Sequence, residues 1–316
     1  MNLGKAIQNL RRARGISQGD LAAKLDVTVQ SVSKWETGKA NPDVFLIPRL
    51  AEYFHVGIDD LFYDEADFSE QESAWLEGNR AGWERVYATD WQGTTLPSYG
   101  AFTPAEDELH LMGDIRGKAV LEIACAGGES LKWMGENGAR ELWGIDTSES
   151  RIASARRLLR EADKPVKLFV SPVEVDPGLP HRHFDIIYSL YGLGWSLDLD
   201  KTFARVCDYI KPGGRLVFSL DHPLMQCLEE QDGRFVLSGS YVDEREIEIV
   251  KRGAKLRLRN WKLSSYINRM ADHSIVVERL VEESVFDDRK DRDGKYYRAD
   301  RARLINQTII VQARKL

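Results

Sequence analysis

The sequence contains little cysteine and no long hydrophobic run. Its 316 residues include only Cys125, Cys207 and Cys227, an odd number without metal-ligand spacing. This argues against a disulfide framework and favours a reducing compartment. No apolar run approaches the roughly 20 residues of a membrane span, and residues 1–10 lack the apolar core of a signal peptide. We therefore expect a soluble cytoplasmic protein that does not bind membranes.

The chain also lacks an excess of positive charge. Its formal net charge is −6, from 44 Lys and Arg against 50 Asp and Glu, which argues against a surface coated with nucleic acid. The hydrophobic content of 43% is sufficient for buried cores, and the length is compatible with two domains. Any contact with DNA therefore has to come from a local basic patch.

Hydrophobic periodicity in residues 1–63 predicts an all-α domain of short helices. Leu3, Ile7 and Leu10 recur at helical spacing. Ser17 and Asp20 have the spacing of a capping box, so a second helix is expected to begin there. Further helices are expected near residues 29–36, 46–54 and 58–62.

The acidic residues 64–84 are expected to form a linker. Trp75, Trp83 and Trp91 recur at a spacing compatible with one helical face, but Gly78 and Gly82 argue against a continuous helix. We expect these rings to seal the edge of the larger domain, which is predicted for residues 85–316.

Strands and helices alternate from residue 118 onwards, which indicates a doubly wound, Rossmann-like α/β domain. Helices are expected at 148–161, 200–210 and 264–270, and a cap insertion is expected near 224–260. A mostly parallel sheet of seven strands is predicted from residues 119–124, 141–145, 166–170, 184–189, 215–220, 276–282 and 307–313.

The segment SQGDLAAKL, with VSKWETG and Asn41-Pro42-Asp43 after it, resembles the Cro/C1 repressor (XRE) helix-turn-helix family over about the first 63 residues. The resemblance implies that the second helix of the pair enters the major groove of double-stranded DNA. Residues 1–39 hold seven Lys and Arg against three Asp and Glu, a local net charge of +4. The alternative is a helical bundle retained for dimerisation or protein contact. The residues expected near DNA are Gln18, Thr28, Val29, Gln30, Ser33 and Lys34.

The segment VLEIACAGG, residues 120–128, predicts a buried strand and a small-residue turn, and a second strand follows it and ends at Asp146. Gly and Ala allow a ligand to approach the backbone closely. A nucleoside cofactor can therefore lie over the turn with its ribose hydroxyls bound by Asp146. A dinucleotide-binding fold has a similar pattern.

Three further features favour a different nucleoside cofactor: Glu122 in the first strand, the segment KPGG at 211–214, and the strand FDIIYS at 184–189. Together with the turn, they resemble the class I AdoMet-dependent methyltransferases over residues 85–316. The sequence departs from that family at Ala124 and Ala126, where glycine is usual, and Glu174 can stand in for an acid near the adenine. The cofactor-binding residues implied are Glu122, Ala124, Cys125, Ala126, Gly128, Asp146 and Thr147, with Tyr188 and a lid that contains Tyr99.

His222 follows the fifth predicted strand, at the sheet edge where ligands gather, so it is the candidate general base. A histidine packed against Pro223 for structural reasons is the alternative. Tyr188, Tyr191 and Trp195 are candidates for an aromatic acceptor pocket or for cation–π contact with a sulfonium, and ordinary core packing is the alternative. The basic residues 251–259 are read as a solvated strand face, with an acidic acceptor or DNA phosphate as the alternative. DNA bases are disfavoured as acceptors because the fourth strand lacks an Asn/Asp-Pro-Pro-aromatic run.

Three hypotheses follow from these two resemblances. The first is a methyltransferase for a small-molecule acceptor, joined to a sequence-specific DNA-binding domain of a transcriptional regulator. The second is a non-catalytic regulator that senses AdoMet or a metabolite through a methyltransferase fold. The third is an enzyme whose N-terminal bundle serves only assembly. A homodimer is expected because one such DNA-binding unit covers only a half-site.

Overall fold

A computed structural model describes residues 3–54, 58, 61, 68–87, 95–286 and 297–316. The first part of the chain is helical, as predicted. The helix expected near 58–62 lies largely outside the described residues. The helices described in this part are α1 (Leu3–Ala13), α2 (Gln18–Leu25), α3 (Val29–Glu36) and α4 (Ile47–Phe54).

Local hydrogen bonds set the boundaries of α2 and α3. Ser17 and Asp20 form the predicted capping box, and the Thr28 side chain accepts a hydrogen bond from the backbone N–H of Ser31. Between the two helices, Asp26 takes a left-handed backbone conformation with φ 60°. The inner side of α3 buries Val32 and Trp35 in the domain core, which leaves its other side to solvent.

The second part of the chain is an α/β domain, and its elements follow the predicted alternation. Its helices are α5 (Glu70–Tyr87), α6 (Glu106–Leu109), α7 (Glu129–Glu136), α8 (Glu149–Leu158), α9 (Leu199–Tyr209), α10 (Leu263–Asp272) and α11 (Ala299–Ala302). Its strands are β1 (Ala119–Ile123), β2 (Glu141–Asp146), β3 (Val166–Val170), β4 (Phe184–Leu190), β5 (Ile210–Asp221), β6 (Leu228–Gln231), β7 (Arg234–Leu237), β8 (Glu246–Lys251), β9 (Ala254–Arg259), β10 (Ile275–Val281) and β11 (Thr308–Lys315).

Seven of these strands form one sheet in the order β10-β11-β5-β4-β1-β2-β3. Strands β1 to β5 pair in parallel, while β11 is antiparallel to both β5 and β10. The predicted mostly parallel seven-stranded sheet is therefore confirmed, with an antiparallel edge. The parallel strands bring the carboxyl ends of β1, β2 and β4 to the same edge of the sheet.

Both faces of the sheet are covered, which explains why β1 is buried along its whole length. Leu121 and Ile123 pack on one side in a cluster that includes Phe203 of α9. Val120 packs on the other side with Leu131 of α7. Alternate residues of one strand thus enter two separate cores, as the period of a strand requires.

The expected cap insertion contains two antiparallel hairpins, β6–β7 and β8–β9. Helix α5 packs against β9. Gly82 makes this approach possible, because a Cβ at that position would lie 2.6 Å from Leu256 Cδ2 and 2.9 Å from the Lys255 carbonyl oxygen. The hairpin and α5 therefore form one unit above the carboxyl edge of the sheet.

Helix α5 is continuous from Glu70 to Tyr87. The expectation that Gly78 and Gly82 interrupt a helix was wrong, because tertiary packing on β9 outweighs the weak helix propensity of glycine. Residues 70–84 of the predicted linker thus lie in a packed helix. Trp75 is buried and its Nε1–H donates to the Arg257 carbonyl oxygen at 3.1 Å. Trp91 lies outside the described residues.

Among the described residues, no helix is long and apolar enough to cross a bilayer.

Candidate functional site

The turn between β1 and α7 has an unusual backbone. Ala124 and Ala126 have φ values of 59° and 46°, and Gly128 has a φ of 82°. The left-handed region costs an L-residue roughly 1–2 kcal/mol, whereas glycine enters it freely. The two alanines therefore hold a glycine-type conformation, and the turn borders the cavities at the carboxyl edge of the sheet.

Asp146 ties the end of β2 to this turn. Its Oδ2 accepts a hydrogen bond from the backbone N–H of Ala126 at 3.0 Å, and its Oδ1 accepts one from the N–H of Ser148 at 2.8 Å. Burial raises the pKa of Asp146, and the two backbone hydrogen bonds oppose that effect. The carboxylate is thus fixed in place beside the turn.

Glu122 lies in β1, directly before the turn. Its carboxyl group accepts hydrogen bonds from Ser130 Oγ at 2.5 Å and from the Tyr188 hydroxyl at 3.1 Å. Complete burial raises the pKa of Glu122 to about 8. Glu122 is therefore mostly protonated at neutral pH, and a cation placed beside it would favour release of that proton.

Two adjoining cavities border these groups. One, of about 140 Å³, is lined by Asp146 and Thr147 and is called the Asp146 lobe. The other, of about 440 Å³, is lined by Glu122 and Cys125 and is called the Glu122 lobe. The walls common to both lobes are Trp83, Tyr87, Ala124, Ala126, Leu190 and Tyr191.

Helix α5 covers both lobes with aromatic rings. Trp83 stacks on Tyr87 with 5.3 Å between ring centroids and meets Trp195 edge-on at 4.8 Å. Sequence reasoning did not assign Trp83 and Tyr87 to the site. The only sequence signal for Trp83 is the repeated spacing of tryptophans, which predicts packing at the edge of the larger domain and not a ligand site.

Of the predicted cofactor residues, six line the lobes: Glu122, Ala124, Cys125, Ala126, Asp146 and Thr147. Glu174 also lines the Asp146 lobe, and its Oε1 accepts a hydrogen bond from the Leu197 N–H at 2.8 Å. Tyr191 and Trp195, expected in an aromatic acceptor pocket, border the lobes as well.

The other three predicted cofactor residues lie behind the cavity walls. Gly128 begins α7, and a Cβ there would lie 3.0 Å from Ala155 Cβ, so this glycine serves the packing of α7 on α8. The Tyr188 hydroxyl supports Glu122. Tyr99 is fully buried and donates a hydrogen bond to Glu106. The expected lid still lines the Glu122 lobe, through Ser98, Gly100 and Ala101.

His222 does not line either lobe. Its Nδ1 accepts a hydrogen bond from the Leu224 N–H at 3.1 Å, and its Nε2 lies 3.0 Å from Glu282 Oε1. Burial lowers the pKa of His222, against the effect of Glu282. Both ring nitrogens therefore have protein partners, which favours the structural alternative over the general base.

The residues expected near DNA fall on one side of the helix pair. Val29, Gln30 and Lys34 of α3 are exposed, as is Thr28 at its N-terminus, and Ser33 is half-buried. Gln18 is also half-buried, and its amide donates to Glu36 Oε2 at 2.8 Å. Five of the six predicted residues are thus grouped along α3, and the sixth begins α2.

Two family models match separate parts of the chain. A model described as a methyltransferase domain matches residues 99–272, more than half of the sequence. The chain belongs to this methyltransferase family. A second model, described as helix-turn-helix, matches residues 7–61. The N-terminal helices α1 to α4 are therefore a helix-turn-helix domain.

A solved S-adenosylmethionine-dependent methyltransferase from Mesorhizobium loti aligns with 66% of this chain and 95% of its own, with a TM-score of 0.54. At 20% identity this likeness concerns the fold alone. The aklanonic acid methyltransferase DauC of Streptomyces sp. (strain C5) is 30% identical over 42% of this chain. The HTH-type transcriptional activator BcrR of Enterococcus faecalis is 30% identical over 28% of this chain. The chain spans 62% and 41%, respectively, of these two relatives.

Proposed function

We propose that this family member is an AdoMet-dependent methyltransferase for a small molecule, fused to a sequence-specific DNA-binding domain of a transcriptional regulator. The observation that carries the enzymatic part is Asp146, a buried carboxylate fixed beside a left-handed turn that lines the same cavity. This arrangement suits a ribose, since a carboxylate accepts hydrogen bonds from two neighbouring hydroxyl groups.

The lining of the two lobes fits the cofactor. The Asp146 lobe pairs a carboxylate with apolar walls that include Ile145 and Pro172, as a nucleoside requires. A Cβ at Gly192 would lie 2.5 Å from Ala124 Cβ, so the glycine allows the backbone after β4 to approach the turn closely. Glu122 and Glu129 in the Glu122 lobe are acceptors for an ammonium group.

The bound cofactor supplies a methyl group on a positively charged sulfur, and the acceptor nucleophile takes that methyl group. The described residues contribute by positioning and by excluding water. Trp83 and Tyr87 cover the cleft, and the Tyr191 ring borders both lobes. No histidine is present among the described lining residues, so rate acceleration rests mainly on orientation.

Calorimetric titration with AdoMet and S-adenosylhomocysteine tests the cofactor site. We expect Asp146→Ala to abolish measurable binding of both, while Asp163→Ala, at an exposed position, leaves both unchanged. Asp146→Asn keeps the shape of the side chain and is the second variant if the alanine variant fails to fold. Unchanged cofactor binding in folded Asp146 variants would refute the site assignment.

Helix α5 favours a second candidate, a regulator that senses the cofactor without turnover. This helix covers the cleft and follows the helix-turn-helix domain in the chain, so cofactor binding and DNA binding can share it. Tight cofactor binding without transfer of a labelled methyl group to a metabolite panel would favour this candidate. Transfer to one acceptor would favour the enzyme.

The helix-turn-helix domain is proposed to bind double-stranded DNA as a homodimer, with one copy on each half-site of a short near-palindrome. Anisotropy titrations with the upstream region of its own operon test this, and the affinity is expected to fall with salt. If the domains are coupled, AdoMet changes operator affinity by the same factor by which operator DNA changes AdoMet affinity. Sequence-independent binding, or a monomer on DNA by sedimentation analysis, would contradict the proposal.

A further inference from the structure

The Glu122 lobe is lined by acidic side chains at one end and by basic side chains at the other. Glu122 and Glu129 lie at the end formed by the β1–α7 turn, whereas Lys251 and Arg252 come from the tip of the β8–β9 hairpin. An ammonium group of a cofactor is suited to the acidic end. The basic end is suited to an anion, and it lies on the cap rather than on the nucleoside-binding edge of the sheet.

The hairpin presents Arg252 in a costly conformation. Arg252 and Gly253 connect β8 and β9 with φ values of 50° and 80°. A two-residue turn with both φ values positive prefers Asn, Asp or Gly at its first position. Arginine is strained there, because the Cβ of an L-residue crowds the backbone in the left-handed region. The strained turn thus places an arginine side chain where the hairpin meets the cavity.

Lys251 extends into the same lobe. Its Nζ lies 5.1 Å from the centroid of the Trp83 ring. Burial lowers the pKa of Lys251, while the nearby Asp221 opposes that effect. Asp221 does not line the Glu122 lobe, and the Tyr297 hydroxyl donates a hydrogen bond to it at 2.8 Å. The lobe is therefore lined by Lys251 and Tyr297, and not by the carboxylate of Asp221.

Aromatic rings form the wall between the two charged ends. Tyr191 and Tyr297 meet edge-on with 6.2 Å between their ring centroids, and Trp83 and Tyr87 cover the other side. The lobe volume of about 440 Å³ is within the range of small-molecule sites. These walls suit a flat ring, which stacks on aromatic side chains.

We propose that the methyl acceptor is a small aromatic acid whose anionic group binds Lys251 and Arg252, with its ring against the wall formed by Tyr191 and Tyr297. This inference rests on the proposed function, because the acidic end of the lobe is assigned to the cofactor. It adds the substrate class and assigns the β8–β9 hairpin to substrate selection.

Matched probes test the charge preference. Protein saturated with S-adenosylhomocysteine is titrated calorimetrically with 4-hydroxybenzoate and 3,4-dihydroxybenzoate, and with the corresponding neutral amides. We expect each acid to bind at least about tenfold more tightly than its amide. Equal affinities, or no measurable binding of any acid, would overturn the proposal.

Three variants test which side chains cause the preference for acids over amides. Lys251→Met and Arg252→Asn are expected to weaken binding of the acids by about tenfold or more and to leave the amides unchanged. Asparagine suits the turn at position 252, so that variant removes the charge without straining the hairpin. Lys255→Met is the control, since this exposed residue of the same hairpin lies outside the lobe and pairs with Glu248.

The affinity for S-adenosylhomocysteine separates the possible failures. It is expected to be unchanged in Lys251→Met and Arg252→Asn. A loss there would mean that the cations bind the carboxylate of the cofactor, and the proposed acceptor class would be wrong. If the unaltered protein does not bind S-adenosylhomocysteine, the proposed function itself fails.

Discussion

The backbone N–H of Ala126 donates to Asp146, with 3.0 Å between the nitrogen and Oδ2, although Ala126 has a φ of 46°. The strained residue and the buried carboxylate hold one another in place across two neighbouring strands. Backbone strain of this kind costs of order 1–3 kcal/mol and is typical of functional turns. The hydrogen bond thus fixes the shape of the candidate site, and the strained backbone of Ala126 lowers the stability of the folded protein by a measurable amount.

Ala126→Gly is expected to stabilise the protein by about 0.5–1 kcal/mol, because glycine enters the left-handed region without strain. The larger conformational entropy of glycine in the unfolded state offsets part of this effect. Thermal denaturation measures the change. Ala40→Gly is the control, since Ala40 is exposed and does not have a positive φ, so glycine relieves no strain there. Equal shifts in the two variants would show that the φ of Ala126 is not the cause.

Glu122→Gln is expected to gain stability relative to the unaltered protein as the pH rises. The pKa of Glu122 in the folded state is about 8, above its ordinary value of 4.5. Its contribution to stability is therefore fully present below pH 4.5 and is lost as the pH rises towards 8. Glutamine stays neutral throughout and avoids this loss.

The difference in unfolding free energy between Glu122→Gln and the unaltered protein should widen between about pH 5 and pH 8 by on the order of a few kcal/mol. Thermal denaturation at each pH measures this difference. Glu161→Gln, at an exposed position, serves as the control. A constant difference across this pH range would contradict the raised pKa.

Arg11→Met is expected to destabilise the helix-turn-helix domain by about 3 kcal/mol, since it leaves the Glu36 carboxylate buried without its main partner. Arg11 Nε lies 2.6 Å from Glu36 Oε1. Hydrogen exchange of the α1 and α3 amides measures the loss, and Arg12→Met, at an exposed position, is the control. Equal protection in both variants would exclude a stabilising role for the pair.

Acid is expected to weaken the same domain. Burial alone raises the pKa of Glu36, but hydrogen bonds from Arg11 and Gln18 outweigh it, so that the pKa is lowered below its ordinary 4.5. Its stabilising contribution is thus present above pH 4.5 and is lost as the pH falls through the lowered value. Protection of α3 amides in the unaltered protein should decline in that range, and no decline is expected from this group in Glu36→Gln.

Gln30→Ala and Lys34→Ala should affect operator binding differently. A base contact by Gln30 is worth about 1–3 kcal/mol of discrimination, so its loss relaxes sequence preference. A phosphate contact by Lys34 is nonspecific, so its loss weakens binding to all sequences and reduces the salt slope by about 1. Anisotropy titrations at several salt concentrations test both. Arg269→Ala, at an exposed position of α10, is the control, and an equal effect there would reject α3 as the DNA contact.

Local sequence patterns determined the elements of this protein. Caps at Ser17 and Thr28 set the starts of α2 and α3, and strand and helix periods gave the alternation of the larger domain. Asp146 and the turn at 124–126 were found in the same way, since a strand, a turn and a second strand suffice to bring them together. Such features depend on hydrogen bonds and burial within a few tens of residues.

Tertiary packing decided which side chains reach the cavities. Trp83 contacts Trp195, and Tyr297 donates a hydrogen bond to Asp221. These partners are far apart in the sequence, so the spacing of residues along the chain does not predict their contact. Tyr99 and His222 were predicted at the site, yet their polar atoms bind Glu106 and Glu282 away from the two lobes. A short pattern predicts whether a residue is buried, but the partner that it meets there depends on how distant segments pack.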